Sequence, residues 1–218
     1  MTRTSDFGLR TSSLRRIYDR LFAAFGPQHW WPGDSALEVA VGAVLTQNAA
    51  WANVERAIAS LKERRLLHLR RLSRLSPDRL APLIKPAGLY NVKSVRLHAL
   101  IQWLNSRGGF ARLRRLPTAE LRQDLLACHG IGPETADSIL LYALERPVFV
   151  IDAYTRRILG RYGIARGDEP YEHLRRLFEA NLEPHPRLFN EFHALFVRLA
   201  KSHCRVRPVC AGCPLEHG

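Results

Sequence analysis

Two glycines one residue apart, Gly130 and Gly132, separate two stretches of helical periodicity, and that narrows what this part of the chain can build. In the first stretch, Thr118 to Cys128, leucines fall at 121, 125 and 126. In the second, Pro133 to Leu144, Ala136, Ile139, Leu140 and Ala143 share one side, as amphipathic helices require. Pro133 suits the first position of the second helix. Backbone N–H groups at that helix start would point outward from a turn with no side chains at 130 and 132, an arrangement that binds phosphate. A hairpin of this kind holds a nucleic-acid backbone without reading its sequence. The competing use of Gly-Ile-Gly is a plain helix C-cap followed by a turn. Past the hairpin, the apolar run Val148-Phe149-Val150-Ile151 leads into Asp152 and a further helical stretch.

Charge points the same way. The 218 residues hold 33 Lys+Arg against 20 Asp+Glu, a formal charge of +13, and the excess is mostly arginine. A polyanionic partner is the first expectation, against the alternative of a merely solvated basic surface. No apolar run reaches membrane length and the N-terminal stretch Met1 to Arg10 has no signal-peptide core, so a soluble intracellular protein is expected. The length suits one large core or two small ones. Three of the four cysteines, Cys204, Cys210 and Cys213, fall in the last fifteen residues, a pattern of metal ligation rather than a disulfide framework.

Periodicity predicts an all-α protein. Helices are expected near 12–25, 35–47, 51–64, 77–85, 91–106, 118–128, 133–145, 153–162, 170–182 and 187–203, punctuated by Phe25-Gly26-Pro27, Pro86-Ala87-Gly88 and Gly108-Gly109. Residues 148–151 have the composition of a strand, but four residues without a pairing partner read better as a buried extended linker. There is no internal repeat and no low-complexity tract.

The string from the hairpin through Glu134, Thr135 and Ala136 to Asp152 resembles the signature of the endonuclease III superfamily of helix-hairpin-helix DNA glycosylases. Val41-Gly42-Ala43-Val44-Leu45-Thr46-Gln47-Asn48 is similar to that family's helix and Gln-bearing loop. Gly88-Leu89-Tyr90-Asn91-Val92-Lys93 is similar to its second DNA-probing loop, and the cysteines fall where its iron–sulfur ligands begin. The matches run in order from about residue 12 to the C-terminus. The resemblance implies two lobes with DNA in the cleft between them: a six-helix barrel over 31–149 carrying the hairpin, and a second lobe of 1–30 plus 150–218 with the cysteine loop. A monomer acting on double-stranded DNA with a damaged base is implied. His129, Gly130, Gly132 and Thr135 would hold the backbone, while Gln47, Leu89 and Tyr90 would plug and probe the stack. Gln47 also suits a helix C-cap and Leu89 core packing.

Breaking an N-glycosidic bond builds positive charge on the deoxyribose, so an ionised carboxylate is needed near it. Asp152 is the candidate, and it also suits a helix N-cap. Family members that cut the backbone carry a lysine two residues after the hairpin's second glycine. This chain has Glu134 there, which cannot form an imine, so a monofunctional glycosylase is expected. Lys85 and Lys93 read as phosphate contacts or solvated side chains. Trp30, Trp31 and Pro32, with Trp51, form the candidate substrate pocket, since indole faces attract cationic alkylated bases. Packing between lobes is the alternative use. Together these strings resemble the 3-methyladenine glycosylase branch. An oxidised-pyrimidine or mismatch glycosylase, or a DNA-binding protein without catalysis, is the alternative.

Cys204-x5-Cys210-x2-Cys213 resembles the family's [4Fe–4S] loop, whose fourth cysteine would fall just beyond Gly218. The readings are a sequence shortened before that cysteine, a site completed by His203 or His217, zinc instead of a cluster, or no metal. Cys128 reads as an ordinary buried cysteine.

Overall fold

The computed structural model describes the backbone of residues 4–216 and the side chains of 13–216. Among the described residues there is no strand. The helices are α1 (Thr4–Phe25), α2 (Ala36–Leu45), α3 (Trp51–Glu63), α4 (Leu69–Leu72), α5 (Pro77–Leu80), α6 (Tyr90–Ser106), α7 (Phe110–Leu113), α8 (Thr118–Ala127), α9 (Pro133–Ser138), α10 (Ala153–Tyr162), α11 (Tyr171–Asn181) and α12 (Pro186–Ser202). A 3₁₀ stretch, Ala81–Ala87, follows α5, and a π-helical stretch, Ile139–Ala143, continues α9. Among the described residues no helix is long and apolar enough to cross a membrane. Two compact units form, one from the residues up to Trp31 with those from Pro147 onward, the other Pro32–Arg146. Trp31 and residues 147–149 therefore belong with the first unit and not with the hairpin-bearing unit of the sequence reading.

In the Pro32–Arg146 unit, α2 is apolar on every side and is buried from Glu38 to Leu45. Its one charged residue is accounted for. The Ser35 hydroxyl caps the helix by accepting the Glu38 N–H at 3.2 Å, and the Glu38 carboxylate pairs with Lys62 at 2.6 Å, the pairing a buried charge needs. Around α2 pack the apolar faces of α3 (Val54, Ala57, Ile58, Leu61) and α6 (Leu97, Leu100, Ile101, Leu104). Each of the valine, isoleucine and leucine side chains among these contributes about 1.5–3 kcal/mol on burial. Leu121 and Leu125 of α8, with Ala136, Ile139 and Leu140, fill the hairpin's own core.

The other unit is organised by aromatic rings. Phe189, Phe192 and Phe196 lie on one face of α12 at helical spacing, and all are fully buried. Phe149, from the extended run 148–151, stacks on Phe178 of α11 with centroids 3.7 Å apart and meets Phe189 and Phe192 edge-on. This run is buried throughout. Its backbone is satisfied by side chains: Glu179 accepts from Phe149 N at 3.0 Å and the Tyr171 hydroxyl from Ile151 N at 3.3 Å. Buried backbone without a sheet needs such partners, and they hold the linker that delivers Asp152 to the start of α10.

Candidate functional site

The hairpin between α8 and α9 is braced from inside. Asp137, fully buried, receives a bidentate pair from Arg122 at 2.7 and 3.1 Å, joining the two helices. Gly130 adopts φ +77°, where an L side chain would be strained, and a Cβ there would collide with Arg96. Gly132 has an ordinary φ of −88° and is the uncapped residue before α9. A Cβ built on it would meet nothing within 4 Å, so its bareness leaves room above the turn. His129 and Glu134 are exposed, whereas Thr135 is buried.

Gln47 sits in the turn after α2 and reaches across to this hairpin. Its amide donates to Gly130 O at 3.2 Å and to Thr135 Oγ1 at 2.9 Å, and its oxygen accepts from Arg96 at 2.6 Å. Thr135 thus faces inward as an acceptor for Gln47 and not outward as a DNA contact. Lys93 also departs from the sequence reading. Instead of a solvated or phosphate-facing lysine, it is 1% exposed and donates to Leu45 O at 2.8 Å and Ala87 O at 2.7 Å. Burial pushes its pKa down, and the neighbouring Arg96 adds to that. Lys93 pins the end of α2 to the loop that starts α6.

That loop ends in Leu89, which stands at φ +46° and is 63% exposed. A large apolar side chain held outward from a left-handed residue rules out the core-packing alternative, because both its conformation and its exposure are unfavourable for the fold alone. Val92 and Val95 extend the exposed apolar row along α6. Tyr90 is half-buried with the Lys85 ammonium 6.0 Å from its ring.

Asp152 caps α10, its Oδ1 accepting the Thr155 N–H at 2.7 Å. Its Oδ2 lies 3.5 Å from Nε2 of His193, and the two side chains are 15% and 6% exposed. Burial by itself would raise the Asp152 pKa. The attraction and hydrogen bonding of His193, with the Thr155 contacts, outweigh it and hold the carboxyl below its ordinary value. The result is a nearly buried carboxylate kept ionised, with one oxygen used by the helix and the other beside a histidine.

Residues 41–184 match the family described as HhH-GPD superfamily base excision DNA repair protein. That span includes the Gln47 turn, the Leu89 loop, the hairpin and Asp152. The chain belongs to the HhH-GPD superfamily. A Methanocaldococcus jannaschii protein provisionally named a DNA repair glycosylase is 42% identical over 206 residues, covering 93% of this chain and 94% of that one. The H. pylori 3-methyladenine DNA glycosylase bound to 1,N6-ethenoadenine is similar in structure, with a TM-score of 0.73, 28% identity and coverage of 90% and 97%. An endonuclease III in a non-covalent DNA complex shares the fold at TM-score 0.80 and 21% identity, covering 95% and 94%.

The tryptophans of this HhH-GPD chain are distributed between the units. Trp30 and Trp31 are half-buried in the first and meet edge-to-face at 5.7 Å, and the Lys201 ammonium lies 5.9 Å from the Trp30 ring. Pro32, exposed, and Trp51, half-buried at the start of α3, belong to the other. Cys204, Cys210 and Cys213 line one cavity of about 390 Å³ together with His203 and Glu216. Arg161 approaches Cys204 Sγ at 3.5 Å and also donates to the carbonyls of Arg205 and Val206, while Arg157 donates to Cys204 O. Thiols at one cavity with a guanidinium on the first of them fit a thiolate-held group. As arranged, however, no three His, Cys, Asp or Glu among the described residues converge as a metal-binding group. His203 turns Nδ1 toward Val209 O at 3.2 Å, and His217 lies outside the described residues. Cys128, expected as an ordinary buried cysteine, is half-buried, and burial raises its thiol pKa.

Sequence reasoning missed Arg96, the Arg122–Asp137 pair and His193. A histidine on the phenylalanine face of α12 was the one available signal for His193.

Proposed function

We propose that this DNA glycosylase of the HhH-GPD superfamily is monofunctional and releases an alkylated, 3-methyladenine-like purine by hydrolysis. The observation that carries this is the ionised, nearly buried Asp152 combined with Glu134 where a Schiff-base lysine would stand. As the base departs, positive charge grows on the sugar, and a carboxylate fixed before the reaction stabilises it without reorganisation. Its Oδ2 is also the acceptor for a proton of the attacking water. Leu89, exposed from a left-handed residue, acts as the wedge that fills the place of the flipped nucleotide. The turn from His129 to Gly132, exposed at those two residues and anchored by buried Ile131, holds the backbone. Trp30 and Trp31 in one unit and Trp51 in the other each offer an indole face for stacking, and the likeness to a 3-methyladenine glycosylase supports the alkylated class. The Cys204, Cys210 and Cys213 thiols, which line one cavity, would supply three of the ligands of a [4Fe–4S] cluster.

A panel of duplexes with 3-methyladenine, 7-methylguanine, thymine glycol, uracil and 8-oxoguanine, assayed with and without alkali and with borohydride, tests the reading. Base release from the methylated duplexes, strand breaks only after alkali and no trapped adduct are expected. Preferential release of thymine glycol, or an efficient borohydride adduct, overturns it.

A further inference from the structure

We infer that Arg96 is a phosphate-binding residue of the hairpin, and that Gln47 is the side chain that aims it. This rests on the reading above that the hairpin holds DNA. Arg96 lies across Gly130, and that contact is why position 130 has no room for a Cβ. A guanidinium carries five N–H donors. Among the described residues one side-chain hydrogen bond is made by Arg96, to Gln47 Oε1 at 2.6 Å, and no carboxylate pairs with it. The rest of this half-buried group lies beside Gly130, two residues from Gly132, where a Cβ would meet nothing within 4 Å.

The surrounding charge favours an anion. Lys93, one helical turn before Arg96 on α6, is matched by the carbonyls of Leu45 and Ala87 and by no carboxylate. Lys93 and Arg96 are met by neutral oxygens, the exposed Glu134 being a carboxylate of the hairpin itself, and a phosphate oxygen is the ligand that the planar guanidinium donors suit. Gln47 is then accounted for differently from the plug its family resemblance implies. All of its amide capacity that the structure assigns goes to Gly130, Thr135 and Arg96, so it ties the guanidinium to the hairpin.

The test is DNA affinity across a salt series for the full chain, on undamaged, abasic and methylated duplexes. Each phosphate contact contributes about 0.9 to the slope of log K against log salt. Arg96→Met should lower that slope by about one, equally on all three duplexes, while Arg96→Lys should recover most of it because the charge is kept. Gln47→Ala should weaken binding on its own and add nothing in the Arg96→Met background, since the two act as one contact. Should Arg96→Met fail to melt cooperatively, Arg96→Lys and Gln47→Ala carry the test: loss of affinity in the second with retention in the first supports the assignment. An unchanged slope in Arg96→Met, or additive losses in the double variant, overturns it. Wild-type binding without any salt dependence instead overturns the hairpin grip on which it rests.

Discussion

Asp152→Asn separates the carboxylate's chemistry from its work as a cap. In the native protein Oδ1 accepts the Thr155 N–H at 2.7 Å. The asparagine oxygen can accept the same bond, since Asn and Asp are comparable N-caps. What disappears is the charge 3.5 Å from His193. A charge-assisted hydrogen bond contributes about 1.5–3 kcal/mol, and removing a nearly buried carboxylate relieves a desolvation cost of similar size. Net stability should therefore move by no more than about 1–2 kcal/mol. Rate should not be spared. Fixed electrostatic groups of this kind contribute about 10²–10³ in turnover, or 2.7–4 kcal/mol. Single-turnover release of a methylated base should thus fall at least about a hundredfold, with abasic-duplex affinity and thermal unfolding near native. Asp152→Ala should show the same kinetic loss plus about 1 kcal/mol of lost cap. If Asp152→Asn stays within about tenfold of native turnover, about 1.4 kcal/mol of barrier, Asp152 is only a cap and the catalytic assignment is wrong.

His193→Gln should move the acid limb of the kcat/KM profile to higher pH. A depressed carboxyl contributes stability and ionised catalyst that are present above its unfolded pKa and are lost as pH falls through the lower folded value, and without His193 burial raises that value; an unmoved limb would dissociate His193 from the carboxylate. Chain produced anaerobically with iron should be yellow-brown, with absorbance near about 400 nm characteristic of cysteine-held clusters, and Cys204→Ala should remove the colour; a colourless native preparation removes the cluster. Trp31→Ala or Trp51→Ala should reduce 3-methyladenine release by one to three powers of ten, about 1.4–4 kcal/mol, through lost stacking and cation–π attraction, with abasic-duplex binding kept. General melting of both variants without selective loss would assign the indoles to packing.

The apolar spacing in this chain indicates most of the long helices, because a 3.6-residue period records which face is buried, although α1 begins at Thr4 and not near residue 12. The helix Ala153–Tyr162 matches the expected span, and 148–151 is a buried linker, as four strand-like residues without a pairing partner imply. Leu69–Leu72 and Phe110–Leu113 escaped the reading, since four residues are too few to show a period. The stretch 133–145 read as one helix but changes to π-helical hydrogen bonding at Ile139, a shift with no signature in side-chain spacing. At the site, local pattern was enough for Asp152 as a cap and for a glycine-bearing turn, since capping and positive φ are properties of a few adjacent residues. It could not say that Gly130 is bare because Arg96 lies over it, that Lys93 is a buried brace, or that His193 stands beside Asp152. Those facts pair residues 34, 48 and 41 positions apart in the chain, and only folding brings such partners within hydrogen-bonding range, where burial and neighbouring charge then determine what each side chain can do.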